Sequence, residues 1–491
     1  MSSVVTPPDP GQAGDSTADR SAQPSIINLR SLPTSTLQEV DSDVLNPVVF
    51  SSDNKFCRFE LEPKGFMSPG SAISIGVKHN STIDRAFFPL NVGVMSLLDR
   101  AVLRTSSGRV ISEIDAVGNF MSLKSLFVSN DHQKNREQYT TGRIMNFNFN
   151  YTDSNKASTY GLDNGKEYND ANSGVGGMWV HKHQLVSKDR ALLTPTFLIY
   201  LHDLFPFLKA GNQLPLFMFG NDRIQVELYF TDPNSKDRLV LSKAHDGATG
   251  ARFDIDQNNV HLISDHIFYP GMMEDYAEQN RSMTFSYFDY QLSRQTIVAN
   301  KADATKDQAR SNIRQLGGAG RLVTRAFAAL QSSNTLGGVS NDDRSLLNKY
   351  NAFCPSRASD VNGVLTTNLF YNERFLFPQN VNNSARQFHN LQDAEQKIPY
   401  TTREVYSNEG RALVSTGNQY HFEGRGQDDN LEGHLFWQGY RLNRGERVGS
   451  KGIELTMNNE TLANGIYTQV AFIEVLRYAT LNDGHLEVAF A

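Results

Sequence analysis

The chain has 491 residues, 39% of them hydrophobic and 10% aromatic, and a formal net charge of −6 at pH 7. That length exceeds one ordinary domain and leads us to expect about two or three. So small a charge gives no electrostatic reason to expect a nucleic-acid binder or a membrane-surface protein, and the two cysteines, Cys57 and Cys354, cannot make a disulfide framework.

The two thiols read as buried and free, which suits folding in a reducing compartment. The first residues lack the basic-then-apolar pattern of a signal peptide. The longest largely apolar run, Ala86 to Leu98, is broken by Pro89 and Asn91 and falls short of a membrane span. The chain therefore reads as soluble, made in the cytosol and without a transmembrane segment. On that reading the glycosylation-type tripeptides beginning at Asn80, Asn150, Asn382 and Asn459 are chance matches.

Residues 1–40 are rich in Ser, Pro, Asp, Ala and Gln and almost free of aromatics. They cannot bury enough surface to offset their ordering entropy, so a mobile arm is expected. From Val48 the pattern turns strand-like, at Val48 to Phe50, Phe56 to Leu61 and Ala72 to Lys78. Met95 to Leu103 fits strand or helix, and Asp115 to Phe127 carries apolar residues at the spacing of a short helix. Arg143 to Tyr151 alternates as an imperfect strand, and 152–177 is polar and Gly-rich, hence an expected exposed loop. Thr196 to Leu201 returns to strand and Asp203 to Lys209 to a tight or helical turn.

Leu214 to Phe219, a Gly-Asn-Asp turn and Ile224 to Phe230 then read as a hairpin that closes a first β unit. A charged connector, 236–258, leads to further strands at Val260 to Ile263, Met283 to Leu292 and Arg321 to Leu330, with a polar excursion at Asp303 to Arg314. Two polar insertions, 334–348 and 379–396, precede strands at Leu435 to Leu442 and Gly452 to Met457. Val470 to Tyr478, an Asn-Asp-Gly turn and His485 to Phe490 close the chain as a second hairpin.

Two similar closures imply duplication. Gly93 to Ala101 can be laid on Gly318 to Ala326, keeping Gly, Leu, Arg and Ala, and Val226-Glu227-Leu228 on Leu486-Glu487-Val488. Short strands, long polar loops and few helices favour an all-β architecture over an α/β one. A jelly roll of about 200 residues has eight strands in two sheets. The expectation is two tandem eight-stranded jelly-roll β-barrels, over 41–235 and 259–491, with a few short helices.

Chemistry is hard to find. His181-Lys182-His183 would put two imidazoles on one strand face, but no Cys or carboxylate accompanies them at useful spacing. Leu316 to Arg321 is Gly-rich but lacks the order of a phosphate loop, and reads as a turn or bulge. No Gly-x-Ser-x-Gly or His-Glu-x-x-His occurs. Asp428, Asp429 and Glu432 cluster in a loop-like stretch, and paired glycosidase carboxylates are set in space rather than along the chain. Trp179 and Trp437 make a poor sugar-stacking platform, and no Lys/Arg stripe with interleaved aromatics suggests nucleic-acid binding. No catalytic residue, cofactor or metal is assigned. A structural role is the first reading, and a carbohydrate-binding or hydrolytic β-sandwich the alternative.

Three stretches resemble the double jelly-roll major capsid proteins of eukaryotic double-stranded DNA viruses, near the polinton-like, virophage and nucleocytoplasmic large virus branches. They are Phe88 to Ala101 with Ser112 to Asp115; Leu204 to Leu208 through Leu214 to Leu216 to Val226-Glu227-Leu228; and Gly449 to Leu455 through Glu474 to Tyr478 to Gly484 to Val488. The resemblance implies a virion structural protein that is not an enzyme. It implies a homotrimeric capsomer of pseudo-hexagonal outline, because two barrels in each of three chains supply six similar wedges. Such capsomers tile an icosahedral shell around a dsDNA genome, with neighbouring capsomers, minor capsid proteins and penton proteins as partners. It implies no sequence-specific nucleic-acid binding.

Overall fold

The computed structural model describes residues 38–79, 86–87, 92–121, 137, 140–142, 196–209, 213–233, 240–241, 253–299, 311–332, 357–358, 363–364, 366–381, 386, 389–390, 393–394, 438–442, 446–458 and 465–491. In the first unit the strands are β1 (Glu39–Leu45), β2 (Val49–Phe50), β3 (Phe56–Glu60), β4 (Phe66–Met67), β5 (Ala72–His79), β6 (Ala86–Phe87) and β7 (Leu98–Thr105). They continue with β8 (Val110–Asp115), β9 (Thr196–Tyr200), β10 (Leu214–Pro215), β11 (Ile224–Phe230), β12 (Val240–Leu241) and β13 (Phe253–Phe268). One sheet has the order β10-β4-β13-β5-β9, with β1 added to β13; the other has the order β2-β3-β11-β7-β8. Because Leu262 and Ile263 pair with both β5 and β1, β1 lies on the opposite side of β13 from β5.

Period-two burial builds the core between these sheets. In β3, Cys57 and Phe59 point inward while Phe56, Arg58 and Glu60 are only half-buried. Ile73, Ile75, Val77, Leu103, Phe197, Ile199, Val226, Leu228 and Leu262 meet them from the other strands. Each such side chain contributes about 1.5–3 kcal/mol of burial. Burial also pushes the Cys57 thiol well above its ordinary range. Cys354 lies outside the described residues.

The second unit runs β14 (Ser282–Ala299), β15 (Ser311–Gly317), β16 (Val323–Ser332), β17 (Arg357–Ala358), β18 (Gly363–Val364) and β19 (Thr366–Tyr371). It ends with β20 (Arg374–Phe375), β21 (Gln438–Arg441), β22 (Ile453–Asn458), β23 (Gly465–Asn482) and β24 (His485–Phe490). Its sheets are β14-β23-β16-β21, with β24 on β23, and β15-β22-β19-β20. Leu369, Tyr440, Ile453, Leu455, Ile473 and Val475 fill the space between them.

All antiparallel sheets in two units and only short helices, such as Met273–Gln279, match the expected all-β fold. Three readings change. The first closure is not a hairpin: β10 pairs with β4 in one sheet, Leu216–Phe219 forms a 3-10 turn, and β11 pairs with β3 and β7 in the other sheet. Leu216 and Phe219 of that turn are buried, three residues apart on one face, as the chain crosses from one sheet to the other. The boundary moves too. Residues 253–268, divided in the sequence reading between a connector and the second unit, form one strand of the first sheet. Finally, the polar excursion at 303–314 ends in a strand, β15.

The closing hairpin of the chain is as read. Asn482 pairs with His485 across Asp483 and Gly484, whose φ values of 47° and 80° are those of a two-residue turn of the primed kind. The Gly-rich stretch 316–321 is a turn with a bulge between Gln315 and Gly317, and Gly317, Gly318 and Gly320 have positive φ. The short helix within 115–127 is present at 117–121. The strand read at 143–151, the loops 152–177 and 334–348 and the arm before residue 38 lie outside the described residues.

Candidate assembly surface: the junction between the barrels and their free ends

One sheet of each unit corresponds to one sheet of the other. β3-β11-β7-β8 in the first has the same order and antiparallel sense as β14-β23-β16-β21 in the second. The proposed echo of Gly93 to Ala101 on Gly318 to Ala326 stands, since each opens at a positive-φ glycine and runs into a corresponding strand, β7 or β16. The echo of Val226 to Leu228 on Leu486 to Val488 does not. The counterpart of β11 is β23, and their registers place Ile473-Glu474-Val475 at Leu228-Tyr229-Phe230: Tyr229 faces Arg100 as Glu474 faces Arg325, with the same bulge before Phe230 and Val475. Glu227 and Glu474 are both buried, and each is met by an arginine of the neighbouring strand at 2.7 Å, Arg104 and Arg325 respectively.

The units meet where the β8 end of the first grips the β14 edge of the second. β8 is the last strand of its sheet and presents unpaired carbonyls there. Side chains of the second unit satisfy them: Tyr287 Oη donates to the Ile111 carbonyl at 2.6 Å, and Arg477 donates to Ile111 at 2.6 Å and Val110 at 3.2 Å. Arg477 also pairs with Asp289 at 2.7 Å, and Ser112 Oγ donates to the other Asp289 oxygen at 2.7 Å. Both charges are buried, with side chains 10% and 5% exposed. Desolvation pushes the Asp289 carboxyl up against the downward pull of Ser112 and Arg477, and burial also raises the Tyr287 phenol.

The chain then wraps around β14. Ala116, at φ 52°, turns it from β8 into the helix at 117–121. Ser112 lies against Asp289 on one face of β14, whereas Phe120 packs on Tyr290 and Phe472 on the other, at ring distances of 4.7 and 5.2 Å. The apolar core reflects this, because Val470, Phe472 and Ala329 of the second unit join the first unit's cluster.

The closing hairpin completes the junction. Leu481 and Leu486 are buried in the first core, Arg109 donates to the Leu486 carbonyl at 2.9 Å, and Asn221 donates to the Asp483 carbonyl at 3.0 Å. Phe207 stacks near Phe285 and Tyr287, at 5.4 and 5.0 Å. A junction with apolar packing, a buried ion pair and capped carbonyls holds the two barrels in a fixed relation, unlike the smaller, wetter contacts of mobile domains.

Among the described residues no further strand pairs at the opposite ends. β1 and β2 end the first unit, and along them Val40, Val44 and Val48 are 66%, 64% and 62% exposed. β20 and β21 end the two sheets of the second; Arg374 of β20 pairs with Glu446, Phe377 just beyond β20 lies against Tyr440 of β21, and Phe375 is 54% exposed. No group of three or more His, Cys, Asp or Glu lies together among the described residues. His181, His183, Asp428, Asp429, Glu432, Trp179 and Trp437 lie outside them. Among the described helices none is long and apolar enough to cross a membrane. The sequence reading gave none of Ser112, Tyr287, Asp289 or Arg477 a role, although Ser112 and Arg477 fall in the stretches that carry the resemblance. Their only signal was a charge inside an otherwise apolar or aromatic strand.

No protein-family model matches the chain, and no curated protein matches it by sequence. Solved structures do match, over nearly the whole length. PBCV-1 VP54, fitted into a reconstruction of the virophage Sputnik, has a TM-score of 0.52 at 9% identity, over 94% of this chain and 98% of that one. A chain of the Sputnik virophage itself gives 0.51 at 12% identity, over 99% and 93%. The Faustovirus major capsid protein gives 0.50 at 9% identity, over 94% of each. The chain has the double jelly-roll fold of viral major capsid proteins.

Proposed function

We propose that this chain is a major capsid protein that associates into homotrimers and tiles an icosahedral shell around a dsDNA genome. The observation that carries the reading is the junction. Two corresponding barrels joined through a gripped edge, an ion pair and a shared core make one rigid double wedge, and three such wedges fill a six-sided outline. A flexible pair of domains could not tile. The double jelly-roll fold, which Sputnik and Faustovirus chains share, supports the same reading. Its location would be the virion, with neighbouring capsomers, minor capsid proteins and penton proteins as partners.

An obligate trimer of this kind would bury about 2,000 Å² or more at its interfaces. Against the hydrolytic alternative, the buried carboxylates Glu227, Asp289 and Glu474 each pair with an arginine, Asp256 with Lys78, and Asp222 is tied to Ser106 and Ser107. The test is the mass of the purified protein by light scattering after size exclusion. A particle near three times 54.9 kDa that persists on dilution, and six-sided outlines by electron microscopy, are expected; a stable monomer would end the reading. Removing residues 2–35 is expected to leave trimers intact and impair shell assembly.

A further inference from the structure

We infer that the interior of the second barrel is a binding site for water, a short string of which lies along the inner face of β14-β23-β16-β21, held by the side-chain amides of Gln295, Gln469 and Gln438. The inference concerns each chain alone and does not rest on the trimeric reading. The registers place these residues. Gln295 lies directly opposite Gln469 across β14 and β23. Gln438 of β21 faces Ala328 of β16, and Ala328 faces Ala471, two residues along β23 from Gln469. Alternation puts all three amides on the side that carries Ile297, Ala326, Ile473 and Tyr440, the side that lines the second core.

Gln469 and Gln438 are 2% and 5% exposed. The Nε2 atom of each is buried without a hydrogen-bond partner among the described residues, and so is the Oε1 atom of Gln295. Gln438 has only its other end served, where Oε1 accepts from the Tyr440 hydroxyl at 3.3 Å. Turning an amide over exchanges which of its two atoms is left unpaired and cures nothing. Gln295 and Gln469 are cross-strand partners and yet do not bond to each other, which is the arrangement a bridging molecule makes good. Arg314 of β15 faces the same interior, since it pairs with the buried Leu455, and its Nε is likewise buried and unpartnered. The Ser293–Gln315 hydrogen bond sets that part of β15 beside β14. The unpaired atoms are thus donors on Gln469, Gln438 and Arg314 and an acceptor on Gln295. Water, which both donates and accepts, completes such a set, whereas an anion only accepts. Between Gln469 and Gln438 the sheet carries only the methyls of Ala471 and Ala328, so these strands put no large side chain in the string's way.

The experiment has two readouts. The first is a map of the unsubstituted chain, from a crystal or a particle, fine enough to show ordered water. A water within about 2.7–3.2 Å of both Gln295 and Gln469 is expected. A direct amide–amide hydrogen bond, or an anion or organic molecule in that place, overturns the inference. The second is urea unfolding of Gln295→Met, Gln469→Met and the double variant, in which methionine keeps the length and removes the polar atoms. With water bridging the pair, each single variant strips one partner and lowers the unfolding midpoint, and the double variant, which needs no bridge, recovers toward the unsubstituted value. Amides that are simply unpaired gain from the same changes, so single variants whose midpoints rise or stay level overturn the inference. Should a variant fail to fold, the map decides alone.

Discussion

Replacing Arg477 by methionine is the sharpest perturbation of the junction. It removes the 2.7 Å pair with Asp289 and the donors to the Ile111 and Val110 carbonyls, and leaves a carboxylate only 5% exposed with the neutral donors of Ser112 and the Tyr290 backbone N–H. Breaking one side of a buried pair costs about 3–5 kcal/mol, chiefly because the surviving charge stays desolvated. Replacing both partners, Asp289→Leu with Arg477→Met, strands no charge. It should cost far less, within about 1–2 kcal/mol of the native protein, since apolar replacement of a buried pair is often neutral. Urea unfolding followed by circular dichroism on all four proteins gives the double-mutant cycle. With either single replacement costing about 3–5 kcal/mol, a coupling of at least about 4 kcal/mol is expected, and the double variant should be more stable than Arg477→Met. Costs that add to within about 0.5 kcal/mol would show that the two side chains act independently and refute the reasoning.

Three further outcomes follow from the same structure. Phe120→Ala should destabilise by about 3–5 kcal/mol and raise proteolysis between the units, because Phe120 is 3% exposed against Tyr290 and Phe472; unchanged unfolding and cleavage would refute the clasp. His266 is fully buried, with Nδ1 donating to the Lys64 carbonyl at 2.9 Å and Nε2 accepting from Ser264 at 2.9 Å. Burial lowers its pKa from 6.5, against the upward effects of the Lys64 carbonyl, Asp43 and Glu62, so the unfolded chain binds the proton more readily. Stability is therefore fully present above pH 6.5 and falls as pH drops below it, and His266→Asn should flatten that slope in urea titrations between pH 7 and 5. Gly452 has φ 74° and a methyl there would lie 2.8 Å from the Gly317 carbonyl oxygen. Gly452→Ala should cost more than the roughly 1–2 kcal/mol of left-handed strain alone, and more than Gly108→Ala, where nothing lies within 4 Å of an added methyl; equal thermal shifts would contradict the contact.

Much of this protein is written locally. Period-two burial at Phe56 to Glu60 and Thr196 to Tyr200 specifies strands because alternation alone decides which face meets the core. Asp483-Gly484 specifies a hairpin because its backbone angles suit few other residues. Duplication could be read from Gly93 to Ala101 and Gly318 to Ala326, and with it the class of fold.

What the sequence could not assign was partnership. Val226-Glu227-Leu228 matches Leu486-Glu487-Val488 in letters, yet the registers make β23 the counterpart of β11 and set Ile473-Glu474-Val475 at Leu228-Tyr229-Phe230, a match the letters hide. Phe253–Phe268 reads as connector and strand alike until β1, β4 and β5 are seen on its flanks. The junction was the least legible part of all. Ser112, Asp289 and Arg477 lie 177 and 188 residues apart, and each alone looks like an ordinary polar residue in a strand. Their meaning comes from the fold, which brings an unpaired strand edge of one barrel against the other and buries the charges that cap it.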